Sequence, residues 1–294
     1  MTRNRLHRIV RLARCRQSRR RTANPRSLLK TFAMESTAAS IEQVRHRTVE
    51  RLGVNSFATR REMGKRAAHD IAVAIRAGLA VAAGVRMIFA AAPSQAEMIE
   101  ALIVEPDIDW RRITAFHMDE YIGLPSGAPQ RFAVWLRERL FDRVPFGAVH
   151  PIRPEGDPQA DAARYAALLD AAPIDIVCLG IGVNGHIAFN DPPVADFADP
   201  QDVKIVELDD VCRQQQVDDD CFPNLAAVPE QALTLTIPRL LRAERLFCVV
   251  PGAHKRLAVA GALHGPVTTD CPASILRRHP DCALYLDAES DPDA

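Results

Sequence analysis

Two stretches of the chain carry residue types and spacings suited to proton chemistry. Residues 179–193 read LGIGVNGHIAFNDPP, with Gly180, Gly182 and Gly185 around a lone His186, Asn184 just before it and Asp191 five residues after it. Imidazole titrates nearest neutrality, so a histidine suits proton transfer. A carboxylate five residues on can orient or charge-stabilise the ring if the loop folds back. The glycines permit φ > 0 and close approach of a ligand to the backbone. Taken alone, the stretch is equally a turn around a structural histidine. A second cluster, FHMDEYIGLP at 116–125, shifts that balance, because it too follows a β-type run and carries Asp119 and Glu120. Lys255 follows a third such run, in VPGAHK at 250–255.

Elements that position these residues are legible around them. Strands are expected over 49–57, 87–92, 112–116, 174–179, 203–208, 230–237, 245–250 and 283–286. Thr59 and Glu62 have the spacing of a capping box, predicting a long alanine-rich helix to about Ala83. Ser94 is expected to cap a helix running to about Val104. Further helices are predicted over 130–142, 157–172, 238–243 and 254–263. Strands alternating with helices indicate an α/β domain with a mostly parallel sheet and helices on both faces, Rossmann-like and single. Sites in such sheets lie outside the carboxyl ends of strands, so the clusters can converge on one edge. The turn at Pro93, Ser94 and Gln95 leads from a strand into a helix N-terminus, where unpaired N–H groups can hold a phosphate. It lacks the glycines that usually strengthen that signal.

Bulk properties narrow the class. The 294 residues are 48% hydrophobic and 25% charged, with 37 basic and 37 acidic side chains, an ordinary globular balance. Zero net charge gives the whole chain no footprint for nucleic acid or membrane, and no apolar run reaches membrane-spanning length without charge. Seven cysteines without a CxxC pair argue against a disulfide framework or zinc site and fit a reducing cytoplasm. Residues 1–40 form a basic extension, with ten arginines from Arg3 to Arg26 and no acid before Glu35. A nucleic-acid arm or targeting peptide is the functional reading. An unstructured extension, with a second candidate start at Met34, is preferred. The α/β domain is expected over 41–287, and 288–294 as a polar tail.

FHMDEYIGLP, LGIGVNGHIAFNDPP and VPGAHK together resemble, in order and spacing, the signature stretches of the glucosamine-6-phosphate deaminase (isomerase) family. The resemblance runs from about residue 50 to 287. The sister 6-phosphogluconolactonases share the fold and a GHxA turn, but their histidine is typically followed by T-A-S-L-F-P rather than the I-A-F-N-D-P found here. The resemblance implies conversion of glucosamine 6-phosphate and water to fructose 6-phosphate and ammonia, with no metal or redox cofactor. It assigns Asp119 as the base for isomerisation, His186 with Asp191 to ring opening, and counts Asn184, where family members carry Asp or Asn, among the catalytic residues. It gives Lys255, Ser94, Gln95 and Gly185 to the substrate and its phosphate. Two departures stand out. The family's T-G-G-[ST]-P phosphate loop is here Ala92-Pro93-Ser94-Gln95-Ala96. The arginine of its S-R-F-F segment is missing, and Arg213 is the nearby substitute. The implied partner is a small amino-sugar phosphate, with no membrane and no nucleic acid. A homo-oligomer is left open, and allosteric control is not expected. The alternatives are a sugar-lactone hydrolase, or a non-catalytic sugar-phosphate-binding regulator that uses the basic arm.

Overall fold

Uninterrupted apolar runs fill the middle of the sheet, because strands covered on both faces need apolar side chains on both. The computed structural model describes residues 43–294; the basic extension lies outside them. A hairpin of β1 (Gln43–Val49) and β2 (Leu52–Phe57) comes first. It stands where one strand was expected, since the Glu50 turn reverses the chain at a positive φ of 55°. Then α1 (Arg60–Val81) starts at the expected capping box. Thr59 Oγ1 accepts from Glu62 N at 3.2 Å and donates to the Glu62 carboxylate at 2.9 Å.

The order continues through β3 (Val85–Phe89), α2 (Ala96–Leu102), β4 (Ile113–His117), β5 (Asp119–Tyr121) and α3 (Phe132–Leu136). Next come β6 (Ala148–His150), α4 (Pro158–Asp170), β7 (Ile176–Leu179), β8 (Val203–Glu207) and α5 (Asp210–Asp218). The chain then forms β9 (Gln231–Leu235), α6 (Ile237–Leu241), β10 (Arg245–Val250), α7 (Arg256–His264) and β11 (Cys282–Asp287).

The main sheet has the order β1-β2-β11-β10-β7-β3-β4-β6, parallel throughout except for the β1–β2 pair. Side chains alternate between two cores, as period-two geometry requires. Met87, Phe89 and Cys178 pack with Ile71 and Ile75 of α1 and Met98 of α2. Ile88, Val177 and Leu179 pack with Leu169 of α4, Leu240 of α6 and Val259 of α7. Helices therefore cover both faces, as expected. The chain runs outward from β3 through β4 to β6, then returns to the other side of β3 for β7. That reversal puts a crevice outside the carboxyl ends of β3 and β7.

Several local features depart from the expectations. A second, antiparallel sheet of order β5-β9-β8 stands apart from the first. The helix expected over 130–142 is a short α3 that widens into a π turn, Arg137–Phe141. Ser94 is not an N-cap: it lies inside a single 3-10 turn, Pro93–Gln95, that leads into α2 with no side-chain cap. The segment expected as a polar tail is anchored, with Ser290 and Asp291 fully buried. Arg47 donates to both Asp291 oxygens at 2.6 and 3.0 Å, tying the segment to β1. No helix among the described residues is long and apolar enough to cross a membrane.

Candidate active site

The carboxyl ends of β10, β7, β3 and β4, four neighbours in the sheet, deliver the chemistry-bearing residues. After β7 the chain forms a tight loop. Gly185 N donates to Gly182 O at 3.0 Å and Gly182 N to His186 O at 2.9 Å. The His186 ring lies against Gly182, occupying the space a Cβ there would need. Gly185 has φ 84°, and a Cβ on it would meet Cys271 Sγ at 2.8 Å. The loop thus needs glycine at 182 to make room for the imidazole, and at 185 for both turn and packing. Asn190 Nδ2 fixes its far side on the carbonyls of Ile187 and Leu235, each at 2.9 Å.

Folding back in this way brings Asp191 Oδ1 within 2.8 Å of His186 Nδ1. Asn184 bridges the two: its Nδ2 donates to Asp191 Oδ1 at 2.9 Å, and its Oδ1 accepts from His186 N at 3.1 Å. Burial alone pushes the Asp191 carboxyl up. The His186 charge and the bonds from His186 and Asn184 outweigh it and hold the group below its ordinary value. Cys212 Sγ lies in the same cluster, within 4.8 Å of the ligand atoms of His186 and Asp191. Burial lifts this thiol well above its usual range, which disfavours the thiolate that a metal would need.

Asp119 opens β5 and faces the cavity. Its carboxyl is raised well above the ordinary value, by burial first and then by the Glu120 and Asp191 carboxylates. Glu120 has a structural task. It accepts from Tyr121 N, Phe132 N and Ala133 N at 3.0, 3.1 and 3.0 Å, capping α3, and sits 3.4 Å from Arg131 Nε. His117 accepts from Ile152 N at 2.8 Å, and burial with nearby Arg131 lowers it to about 3. It is therefore a neutral imidazole with its acceptor nitrogen already used.

Lys255 ends the 3-10 turn Ala253–Lys255 that follows β10. Only 3% of it is exposed, and burial lowers its ammonium to about 8 against an opposing contribution from Asp219. Gln95 ties the turn after β3 to β10, donating to Val249 O at 3.1 Å and Ser94 Oγ at 3.2 Å. Ser94, Gln95, Asp119, His186 and Lys255 all line one cavity of about 520 Å³, ample for a monosaccharide phosphate.

A family profile described as glucosamine-6-phosphate isomerases/6-phosphogluconolactonase matches residues 58–284. The chain belongs to this family. It is 38% identical over 184 residues to a glucosamine-6-phosphate deaminase of Exiguobacterium sibiricum, covering 62% of this chain and 71% of that one. A glucosamine-6-phosphate deaminase of Streptococcus pneumoniae is 37% identical over 191 residues, 64% and 79% of the two chains. Among solved structures, a monomeric glucosamine-6-phosphate deaminase superposes with TM-score 0.73 at 28% identity, over 81% of this chain and 98% of that one. A 6-phosphogluconolactonase from Thermotoga maritima has TM-score 0.66 at 18% identity, over 80% and 99%, and shares the fold.

This member of the glucosamine-6-phosphate isomerase/6-phosphogluconolactonase family departs from the sequence expectations at two positions, Arg213 and Gly185. Arg213 does not line the cavity. Its guanidinium binds Asp210 at 3.0 Å and the carbonyls of Leu225 and Val228 at 3.1 and 3.0 Å, stapling α5 to the turn that follows it. Gly185 does not line the cavity either, being packed on Cys271. Asn184 and Asp191 lie behind His186 rather than in the cavity wall.

Other wall residues escaped the sequence reading. Gln215 Oε1 accepts from Val183 N at 2.9 Å, and Gln216 Oε1 accepts from the Tyr121 hydroxyl at 2.8 Å, so α5 braces both the His186 loop and β5. The run Gln214-Gln215-Gln216 was the available signal, but its helix has too few apolar residues to show a period. Trp135, Glu138 and Arg139 line the same cavity.

Proposed function

We propose that the protein converts glucosamine 6-phosphate and water into fructose 6-phosphate and ammonia. The observation that carries this reading is a buried carboxyl, Asp119, with no hydrogen-bond or ion-pair partner among the described residues, sharing a cavity with a histidine that is paired to its own carboxylate. The 37–38% identical deaminases support it further.

His186, oriented by Asp191, gives a proton to the ring oxygen as the C1 hydroxyl loses its own, opening the ring. Asp119 then takes the proton from C2, and the electron pair forms the C1–C2 double bond while the C1 oxygen is protonated. Returning a proton to C1 leaves an imine at C2, which adds water and expels ammonia. Burial raises the proton affinity of Asp119 and so strengthens it as a base for a weakly acidic C–H. Asp191 stays ionised and stabilises the imidazolium that forms when His186 is charged. Lys255 and Ser94 hold the phosphate, and Gln95 fixes the turn that carries Ser94. The partner is a small molecule, and free thiols at six described cysteines suit a cytoplasmic enzyme.

The test is parallel measurement of ammonia and fructose 6-phosphate from glucosamine 6-phosphate and purified protein. Equal appearance of both is expected. A folded sample that releases neither, yet hydrolyses 6-phosphogluconolactone, overturns the reading in favour of the sister chemistry.

A further inference from the structure

The anion-binding end of the cavity is short of positive charge. Lys255 is buried and already faces Asp219. Arg213 is committed elsewhere, and the Gln95 amide is used within the fold. Asp119, Glu138, Asp219 and Asp220 line the same cavity. A phosphate dianion entering it meets the carboxylates of Glu138, Asp219 and Asp220 as well as cations. Beside Lys255 and His186, Arg139 is the basic side chain among the described residues of the wall.

We propose that Arg139 is the second phosphate-binding cation of this site and sets its preference for phosphorylated sugars, an assignment that rests on the function proposed above for the identity of the sugar. Arg139 sits in the π turn Arg137–Phe141. Such a turn adds a residue to the helical repeat and re-aims the side chains around it, and it is frequent at functional sites. Phe141 of the turn packs edge-on against Phe89 at the end of β3, ring centres 6.3 Å apart. The turn also packs on α2. Arg139 is thereby carried on an element that packs against α2, the helix the Ser94 turn leads into.

Its guanidinium lies over the Trp135 ring at 4.6 Å. Stacking occupies the flat face of the group and leaves the in-plane N–H fork free for a bidentate anion. The one charged neighbour recorded for it, Glu138, is 4.0 Å away with both side chains about half exposed, too weak a pair to hold it. Arg139 thus stands on an aromatic ledge, with no hydrogen-bond acceptor for its guanidinium among the described residues.

Calorimetric titration of inorganic phosphate into the full chain and into Arg139→Ala, Arg139→Lys and Glu138→Gln tests this, with a melting curve for each. Arg139→Ala is expected to weaken phosphate binding about tenfold, the loss of a charge-assisted bidentate contact, without lowering Tm. Arg139→Lys should recover part of it, and Glu138→Gln, which removes the competing carboxylate, should tighten it. The KM for glucosamine 6-phosphate should follow the same order. Unchanged phosphate affinity in Arg139→Ala overturns the proposal, as does a wild-type chain that binds no phosphate. Phosphate binding that depends on Arg139 in a protein that releases no ammonia keeps this proposal and sinks the amino-sugar reaction alone.

Discussion

Asp119 and Asp191 are both buried, and both serve the same cavity, yet their surroundings push them in opposite directions. Asp119 begins a three-residue strand, faces the cavity, and has two carboxylates for neighbours. Asp191 closes a glycine-rich loop and receives His186 and Asn184 on one oxygen. The first is held toward protonation and the second away from it. Residue type alone does not distinguish a base from a charge-stabiliser; the donors around each carboxylate do. The two are also coupled, since the charge fixed on Asp191 is one of the causes that raises Asp119.

The contrast predicts opposite stability effects. For Asp119 the folded-state pKa lies above the unfolded one, so the folded protein binds more protons, and ionising the group costs stability as pH rises between the two values. Asp119→Asn is therefore expected to cut turnover by about 10²–10⁴-fold while raising Tm near neutrality. Steady-state assays paired with melting curves check both halves; lost turnover with a lowered Tm would erase the contrast. In the wild type, the acid limb of kcat/KM should fall above the usual carboxylate range.

For Asp191 the sign reverses. Its stabilisation is present above the unfolded carboxylate value and is lost as pH falls through the lowered folded one. Asp191→Ala leaves two donors unpaired and should lower stability by roughly 1–3 kcal/mol, measured by urea unfolding. That deficit should shrink as the pH is taken below the ordinary carboxylate range. Turnover should fall as well, because His186 loses its orienting anion.

Lys255 supplies the alkaline counterpart. Because burial lowers its ammonium to about 8, kcat/KM should decline above that pH, by about tenfold per unit. Lys255→Met should begin from a higher KM and lose the alkaline limb. The smallest effect is expected from Asn184→Ala, about 1 kcal/mol of stability. It should also move Asp191 toward its ordinary carboxylate value, visible as a shift in the acid unfolding midpoint.

The elements that frame the site were readable because their sequences leave little choice. IVCL in β7 and RLFCVV in β10 are too apolar for anything but a strand covered on both faces, and the Thr59–Glu62 spacing announces α1. The antiparallel sheet was not readable. β5 is three residues long, too short to show a period, and the acidic residue in its middle, Glu120, is fully buried as the cap of α3. Asp119, His186 and Lys255 were found through motif order and do share the cavity. Arg213 was chosen for nearness in sequence, and its own helix turns it toward backbone carbonyls instead. Arg139 fell within the helix expected over 130–142, where a π turn leaves no trace in a 3.6-residue pattern.

The pairing of β2 with β11 joins residues about 230 positions apart: Cys282 lies opposite Leu52, and Asp287 opposite Phe57. During synthesis the β1–β2 hairpin emerges early and must wait for almost the whole chain before its inner edge finds a partner. Until then it offers an open strand edge, the kind of surface that recruits other chains. Moving the hairpin to follow β11 by circular permutation would turn this late, long-range closure into a local one. Such a rearranged chain should refold faster and leave less insoluble material, with the cavity's four delivering strands untouched.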